Sequence, residues 1–198
     1  MMDHYFSPTH STPHNIVRIT VAYAGRPMQF DTDSGVFSKG KMDRGTEILL
    51  DALPSFGDRR ILDLGCGWGA IGVILAALNP EASIHMSDVN ERAVQLARRN
   101  AKRNRVKVQT YLSDKLEDVE GPFDVIVTNP PIRAGKETIY AMIRQSHEKL
   151  SPNGEFYAVV RTKQGAKSYM AELIDIFGEN VEIIKRGSGY KVFRAEKK

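Results

Sequence analysis

From Arg60 to Phe177 short β-branched runs alternate with amphipathic stretches, and this rhythm limits the fold more than any other feature of the chain. Period-two and period-3.6 patterning predicts strands at 60–64, 83–87, 106–112, 124–128 and 155–161. It predicts helices at 70–78, 91–103, 136–150 and 165–177. A strand–helix–strand sequence of this kind builds a mainly parallel sheet with helices on both faces. Two last strands, 181–185 and 190–195, are joined only by Gly187-Ser188-Gly189. Parallel neighbours need a crossover, so this pair runs antiparallel. The expected fold class is α/β: a doubly wound sheet with an antiparallel last strand.

Upstream, 15–23 alternates apolar and polar residues, Ala24-Gly25-Arg26-Pro27 reads as a turn, and 28–32 reads as its partner strand, a small N-terminal β-hairpin appendage. A helix is expected at 43–53, ended by Leu53-Pro54. Ser151-Pro152-Asn153-Gly154 reads as a turn. The expected organisation is a flexible N-terminus (1–14), a hairpin and pocket loop (15–40) and a catalytic domain (41–198).

The composition, 41% hydrophobic and 26% charged, is that of a water-soluble domain. No apolar run approaches the roughly 18–20 residues needed to span a bilayer. Residues 1–15, rich in His, Ser, Thr and Pro, contain no signal-peptide apolar segment, so a cytoplasmic location and no membrane partner are expected. Cys66 is the only cysteine, which excludes an intrachain disulfide. The five histidines lack ligand spacing, and no bound metal is expected. The formal charge of +4 tilts toward a polyanionic partner.

The first parallel strand runs into Asp63-Leu64-Gly65-Cys66-Gly67-Trp68-Gly69-Ala70-Ile71-Gly72. Glycines there let the chain turn sharply into a helix and let a ligand approach the backbone. Gly67, Gly69 and Gly72 also fit the spacing of a dinucleotide-binding turn. Three carboxylates favour S-adenosylmethionine (SAM) over NAD. Asp63, just before the glycines, suits the ammonium of a methionine moiety and would repel a pyrophosphate. Asp88, ending the second strand, suits ribose hydroxyls, a role common to both cofactors. Ser113-Asp114, after the third, suits the adenine amine. The expected cofactor-binding set is Asp63, Gly65, Cys66, Gly67, Gly69, Asp88, Val89, Asn90, Ser113, Asp114 and Asn129.

The fourth strand ends in Thr128-Asn129-Pro130-Pro131-Ile132-Arg133-Ala134-Gly135-Lys136. The Asn129 side-chain carbonyl and the Pro130 backbone carbonyl offer two acceptors, which can hold both hydrogens of an –NH2 group. The lone pair of an aromatic amine is delocalised and a poor nucleophile. Acceptors off its plane draw the nitrogen toward tetrahedral geometry and aim the lone pair at a methyl donor. Such a site works by orientation and charge stabilisation, and needs no general base before transfer. Asn129 and Pro130 are the expected catalytic residues.

DLGCGWGAIG together with TNPP resembles the class I SAM-dependent methyltransferases that act on exocyclic or amide nitrogens. Ser34-Gly35-Val36-Phe37-Ser38, followed by Asp43-x-Gly45-Thr46-x-x-Leu49-Leu50, resembles more narrowly the "small domain" ribosomal RNA methyltransferases, which modify a guanine amine of 16S rRNA. NPPIRAGK is similar to the short, single-domain bacterial members. The resemblance covers roughly residues 31–198 and implies a Rossmann-like seven-stranded sheet, SAM as cofactor, and ribosomal RNA or a small ribosomal subunit as partner. It implies cofactor contacts from Asp63, Gly65, Gly67, Asp88 and Asp114 and target contacts from Asn129 and Pro130. It also implies that the Gly35–Phe37 loop and the Asp43–Thr46 turn close over the pocket. Two departures stand out: about thirty residues replace the degenerate N-terminal domain of the long members, and Ile132 sits where an aromatic commonly follows Asn-Pro-Pro. Phe37 is the expected replacement stacking face, with Pro131, Ile132, Arg133 and Lys136 completing the substrate-binding set. Lys39, Lys41 and Arg44 are expected at the same mouth, for phosphates flanking a flipped base. The basic run Arg98–Lys107 sits at a helix end, where cations complement the helix dipole. An adenine amine and a protein glutamine amide suit the same turn, and an NAD-dependent or nucleotide-binding enzyme on a similar sheet remains an alternative.

Overall fold

The computed structural model describes residues 12–198; the first eleven residues of the expected flexible N-terminus lie outside the described part. A two-stranded antiparallel sheet, β1 (Val17–Tyr23) and β2 (Arg26–Thr32), precedes a seven-stranded mixed sheet. In chain order the large sheet comprises β3 (Arg60–Leu64), β4 (Ser83–Asp88), β5 (Gln109–Leu112), β6 (Phe123–Thr128), β7 (Leu150–Arg161), β8 (Val181–Gly187) and β9 (Tyr190–Glu196). Its spatial order is β5-β4-β3-β6-β7-β9-β8. Among the described residues β9 is the one reversed strand of this sheet, antiparallel to both neighbours, while β3 to β7 pair in parallel.

The alternation along each buried strand divides the core between the two faces. Ile61, Val125, Val127 and Val159 face α1 (Arg44–Leu50), α2 (Ala70–Leu78) and α3 (Glu91–Arg103). Leu62, Ile126, Phe156 and Val160 face α4 (Lys136–Lys149) and α5 (Ala166–Phe177). Both faces being covered, these strands read as continuous apolar runs. The winding reverses between β3 and β6, where a crevice must open at the carboxyl ends of the strands. At Gly72 in α2, an added Cβ would stand 2.4 Å from the Met86 sulfur, so only glycine lets this helix lie so close to β4. Among the described residues no helix is long and apolar enough to cross a membrane.

Four local expectations are corrected. β5 begins at Gln109 and not at Val106, because the end of α3 consumes the intervening chain. Arg105 (φ 57°) and Val106 turn back, with Arg105 N–H donating to Lys102 O (3.2 Å) and Val106 N–H to Ala101 O (3.1 Å), a Schellman closure. The first hairpin turns on Ala24 and Gly25 alone, both at positive φ, so Arg26 and Pro27 already belong to β2. Pro27 is tolerated because a two-stranded sheet has free edges. Helix α1 stops at Leu50, short of the proline. Ser151–Gly154 is no inter-element turn but a bulge within β7: Leu150 pairs with Phe123 before Glu155 pairs with Val125.

The hairpin is fastened to α3 by two asparagines. Asn100 Oδ1 accepts from Asp31 N–H (2.7 Å) while its Nδ2 donates to Asp31 O (2.9 Å). Asn104 repeats the pattern with Gln29 (3.1 and 2.8 Å). A helical i,i+4 spacing matches the i,i+2 spacing along one edge of a strand. The two amides therefore imitate a third strand and cover the edge of β2. Asn100 Nδ2 also donates to Trp68 O (2.8 Å), tying hairpin and helix to the glycine turn. The Asp31 carboxylate, though buried, is held below its usual range because hydrogen bonds and charge from Arg18 and Arg103 outweigh the desolvation.

Candidate active site

A cavity of about 920 Å³ opens at the switch point, within the size range of small-molecule sites. The carboxyl ends of β3 to β7 form its floor. The 36–39 loop, the start of α1 and Tyr190 of β9 form the opposite wall.

At the end of β3 the Gly65 and Cys66 N–H groups both donate to Ser87 O (2.9 Å each), which locks the turn to β4. Gly65 (φ 73°) and Gly67 (φ 56°) adopt left-handed conformations, and an added Cβ at either would meet nothing within 4 Å. Backbone without side chains thus lines open space, as a cradle for a ligand must. Asp88 reaches back beneath this turn, Oδ2 accepting from Gly67 N–H (2.8 Å) and Oδ1 from Asn90 N–H (2.9 Å). Burial raises its pKa against these donors. Asn90 caps α3 by accepting from Arg92 N–H (3.0 Å) and donates to Gly35 O (2.9 Å), which pins the pocket loop.

Asp63 lies deeper than expected. It is fully buried, absent from the cavity lining and bound through Oδ2 to Gly72 N–H (2.9 Å). Its Oδ1 has no hydrogen-bond partner among the described residues. Burial, reinforced by the charge of Asp88 and opposed by the Gly72 N–H, pushes its pKa up to about 7. An unpartnered buried carboxylate oxygen under a glycine cradle fits a cationic ligand and would oppose a pyrophosphate. On that observation the residues fit SAM. Of the remaining cofactor set, Gly65, Cys66, Gly67, Asp88, Val89, Asn90, Ser113, Asp114 and Asn129 line the cavity, and Gly69 does not. The Asp114 side chain is exposed and paired with Lys115 Nζ at 2.6 Å.

At the end of β6, Thr128 Oγ1 donates to Leu64 O (2.8 Å), binding this strand end to β3. Asn129 Nδ2 then donates to Asp43 Oδ2 (3.1 Å) and Thr46 Oγ1 (3.0 Å). Ile132 N–H donates to the Pro130 carbonyl at 2.9 Å across Pro131 (φ −75°, ψ 79°), an inverse γ-turn. The second expected acceptor therefore has one lone pair engaged and one left. Pro131, Ile132, Arg133 and Phe37 line the cavity; Phe37 is 45% exposed there. Lys136 opens α4 outside the lining. Of the other expected mouth cations, Lys39 lines the cavity and bonds Ser34 Oγ (3.1 Å), while Arg44 is paired with Glu47 (2.6 Å).

Sequence reading missed Asp43 and Thr46 as partners of Asn129, and it missed Arg161 and Tyr190. The Arg161 guanidinium sits 5.2 Å from the Tyr190 ring centre at the cavity wall. Arg161 ends β7, and the crevice rule alone would have flagged it. Nothing local marks Tyr190, which follows an exposed glycine turn on the reversed strand.

A doubly wound sheet with one reversed strand, a glycine cradle over buried carboxylates and an Asn-Pro-Pro turn at the switch point define a SAM-dependent methyltransferase. The family model "Methyltransferase small domain" matches residues 27–194, and the chain belongs to that family. The uncharacterized protein YbxB of Bacillus subtilis (strain 168) is 40% identical over the full length of both chains. The ribosomal RNA small subunit methyltransferase C of Hahella chejuensis is 35% identical over 85% of this chain and 49% of its own. A T. thermophilus 16S rRNA N2 methyltransferase (RsmC), solved with AdoMet and guanosine, superposes with a TM-score of 0.85 at 30% identity, over 94% of this chain and 52% of that one. The chain spans about half the length of the named ribosomal RNA methyltransferases it matches.

Proposed function

We propose that this chain methylates an exocyclic amino nitrogen of ribosomal RNA, guanine N2 in the small subunit, as a cytoplasmic, metal-free enzyme. The observation that carries this reading is the orientation of the Asn129 amide. Its –NH2 faces Asp43 and Thr46, which leaves Oδ1 as the end available to the cavity. An amide oxygen beside the free lone pair of Pro130 O is a site for a donor pair, which an amino group supplies. The names of the relatives support RNA and guanine as the target.

When bound, SAM supplies an electrophilic methyl group. Gly65 and Gly67 would receive it against bare backbone, with Cys66 between them. Asp63 would act on its ammonium through charge from beneath the turn, outside the lining, and Asp88 would serve its ribose and Ser113-Asp114 its adenine. Asn129 Oδ1 and Pro130 O hold the target amine and turn its lone pair out of conjugation, so their contribution is orientation. Phe37 offers an exposed aromatic face to the base, and Ile132 and Pro131 offer apolar surface beside it. Arg133, Lys39 and Arg161 border the mouth as cations for flanking phosphates.

Methyl transfer from labelled SAM to small ribosomal subunits of a deletion strain, followed by nucleoside analysis, tests the reading. N2-methylguanosine is expected in the product and absent from deletion-strain RNA; methylated adenine or glutamine would replace the guanine assignment. Asn129→Ala is expected to abolish turnover with SAM affinity preserved, and a loss confined to SAM binding would refute its role.

A further inference from the structure

The structure assigns Asp43 and Thr46 as positioning residues that decide which end of the Asn129 amide faces the target. The assignment rests on the amine-holding reading of Asn129. An asparagine amide is nearly symmetric in shape, and its two orientations have opposite chemistry: one presents an acceptor, the other two donors. A site that must hold an amine works only in the first.

The partners of Nδ2 make the choice. A carboxylate has no hydrogen to give, so Asp43 Oδ2, 3.1 Å away, can face only the –NH2 end. Thr46 Oγ1 at 3.0 Å takes the second hydrogen, so both N–H bonds are used within the cavity wall and Oδ1 is the end left to accept from a ligand. A flipped amide would set Oδ1 against the Asp43 carboxylate, acceptor to acceptor, in a recess where Thr46 is 5% exposed.

The two partners are themselves fixed. Asp43 caps α1, its Oδ2 also accepting from Gly45 N–H (2.8 Å) and Thr46 N–H (3.3 Å). Gly45 is wedged: an added Cβ would lie 2.8 Å from Asp43 Oδ2 and 2.8 Å from Tyr190 Cε1. The first turn of α1 is therefore closely packed between the cap and Tyr190, and α1 packs against β7 and β9. The short helix serves as a rigid bracket whose first turn keys an amide 83 and 86 residues away in the chain.

The test reads binding, with no turnover required. Calorimetry on the full chain saturated with S-adenosylhomocysteine compares each amino nucleoside with its desamino twin, guanosine against inosine and adenosine against purine riboside. The wild type is expected to favour an amino-bearing member. Thr46→Val, which leaves the Asp43 cap in place, and Asp43→Asn, which can accept either end of the amide, are expected to reduce that preference about tenfold, the worth of about one hydrogen bond. Thr46→Ser is expected to keep the preference, and S-adenosylhomocysteine affinity is expected to stay within about twofold. If Asp43→Asn does not fold, Thr46→Val and Thr46→Ser decide alone. Preference intact in Thr46→Val overturns the positioning assignment and leaves the amine reading standing. Preference and cofactor affinity falling together point to general collapse of the pocket and also overturn it. A wild type with no preference in either pair removes the amine reading, and the assignment with it.

Discussion

Replacing Asn100 with leucine probes the energetics of the docked hairpin, because leucine keeps the branched four-heavy-atom skeleton of the asparagine side chain, though bulkier, and carries no polar atoms. Asn100 has no exposed surface. The substitution leaves three backbone groups without their partner: Asp31 N–H, Asp31 C=O and Trp68 C=O. Each buried group left unpaired costs about 1–3 kcal/mol. Partial release of the hairpin admits water and lowers the sum, so about 3–5 kcal/mol is expected, a large share of the 5–15 kcal/mol typical of a domain. Asn104→Leu removes the equivalent pair to Gln29 in a solvent-accessible place, where water can substitute, and should cost about 1 kcal/mol. Urea unfolding of both variants beside the wild type measures the contrast. With an m-value of about 2 kcal/mol/M, Asn100→Leu shifts the midpoint down by roughly 2 M and Asn104→Leu by about 0.5 M. Because Asn100 also supports Trp68 at the edge of the glycine turn, its replacement should weaken SAM binding, whereas Asn104→Leu should not. Equal midpoint shifts in the two variants, or a loss below 1 kcal/mol at Asn100, would refute the reasoning that burial sets the cost.

Asp63 gives a pH-dependent prediction. Its folded pKa of about 7 lies above the ordinary 3.8, so the folded protein keeps a proton that the unfolded chain releases in that window, and stability drops as pH rises through it. Asp63→Asn should therefore raise Tm, by an amount that grows from pH 4 to pH 7 and is constant above about pH 8, while lowering SAM affinity at least about tenfold. A Tm difference flat with pH contradicts the shift, and unchanged affinity contradicts the attraction of the buried carboxylate for the ammonium. Phe37→Ala should raise KM for the RNA about 10- to 100-fold, the value of one stacked base, with SAM affinity constant; unaltered kinetics would dismiss the stacking role.

Much of this molecule follows from short-range pattern. The alternation between 60 and 177 dictates a doubly wound sheet because each strand must bury two apolar faces and each helix one. The reversed strand follows from the absence of a crossover at Gly187–Gly189. The glycine cradle and the Asn-Pro-Pro turn are also legible, since their backbone requirements lie within a few consecutive residues. Even locally, Val106 and Val108 mislead as strand residues, since the αL closure at Arg105 depends on what the end of α3 packs against.

Tertiary structure decides whatever joins residues distant in sequence. The orientation of Asn129 comes from Asp43 and Thr46, and the closure of the pocket wall comes from Tyr190 and Arg161 meeting across two strands. The hairpin's role as a brace on the glycine turn comes from Asn100, which as a sequence element is only a polar residue in a helix. Periodicity tells a side chain which face it takes. It does not tell an amide which of its ends is wanted, because that depends on hydrogen-bond partners the chain brings near only when it folds.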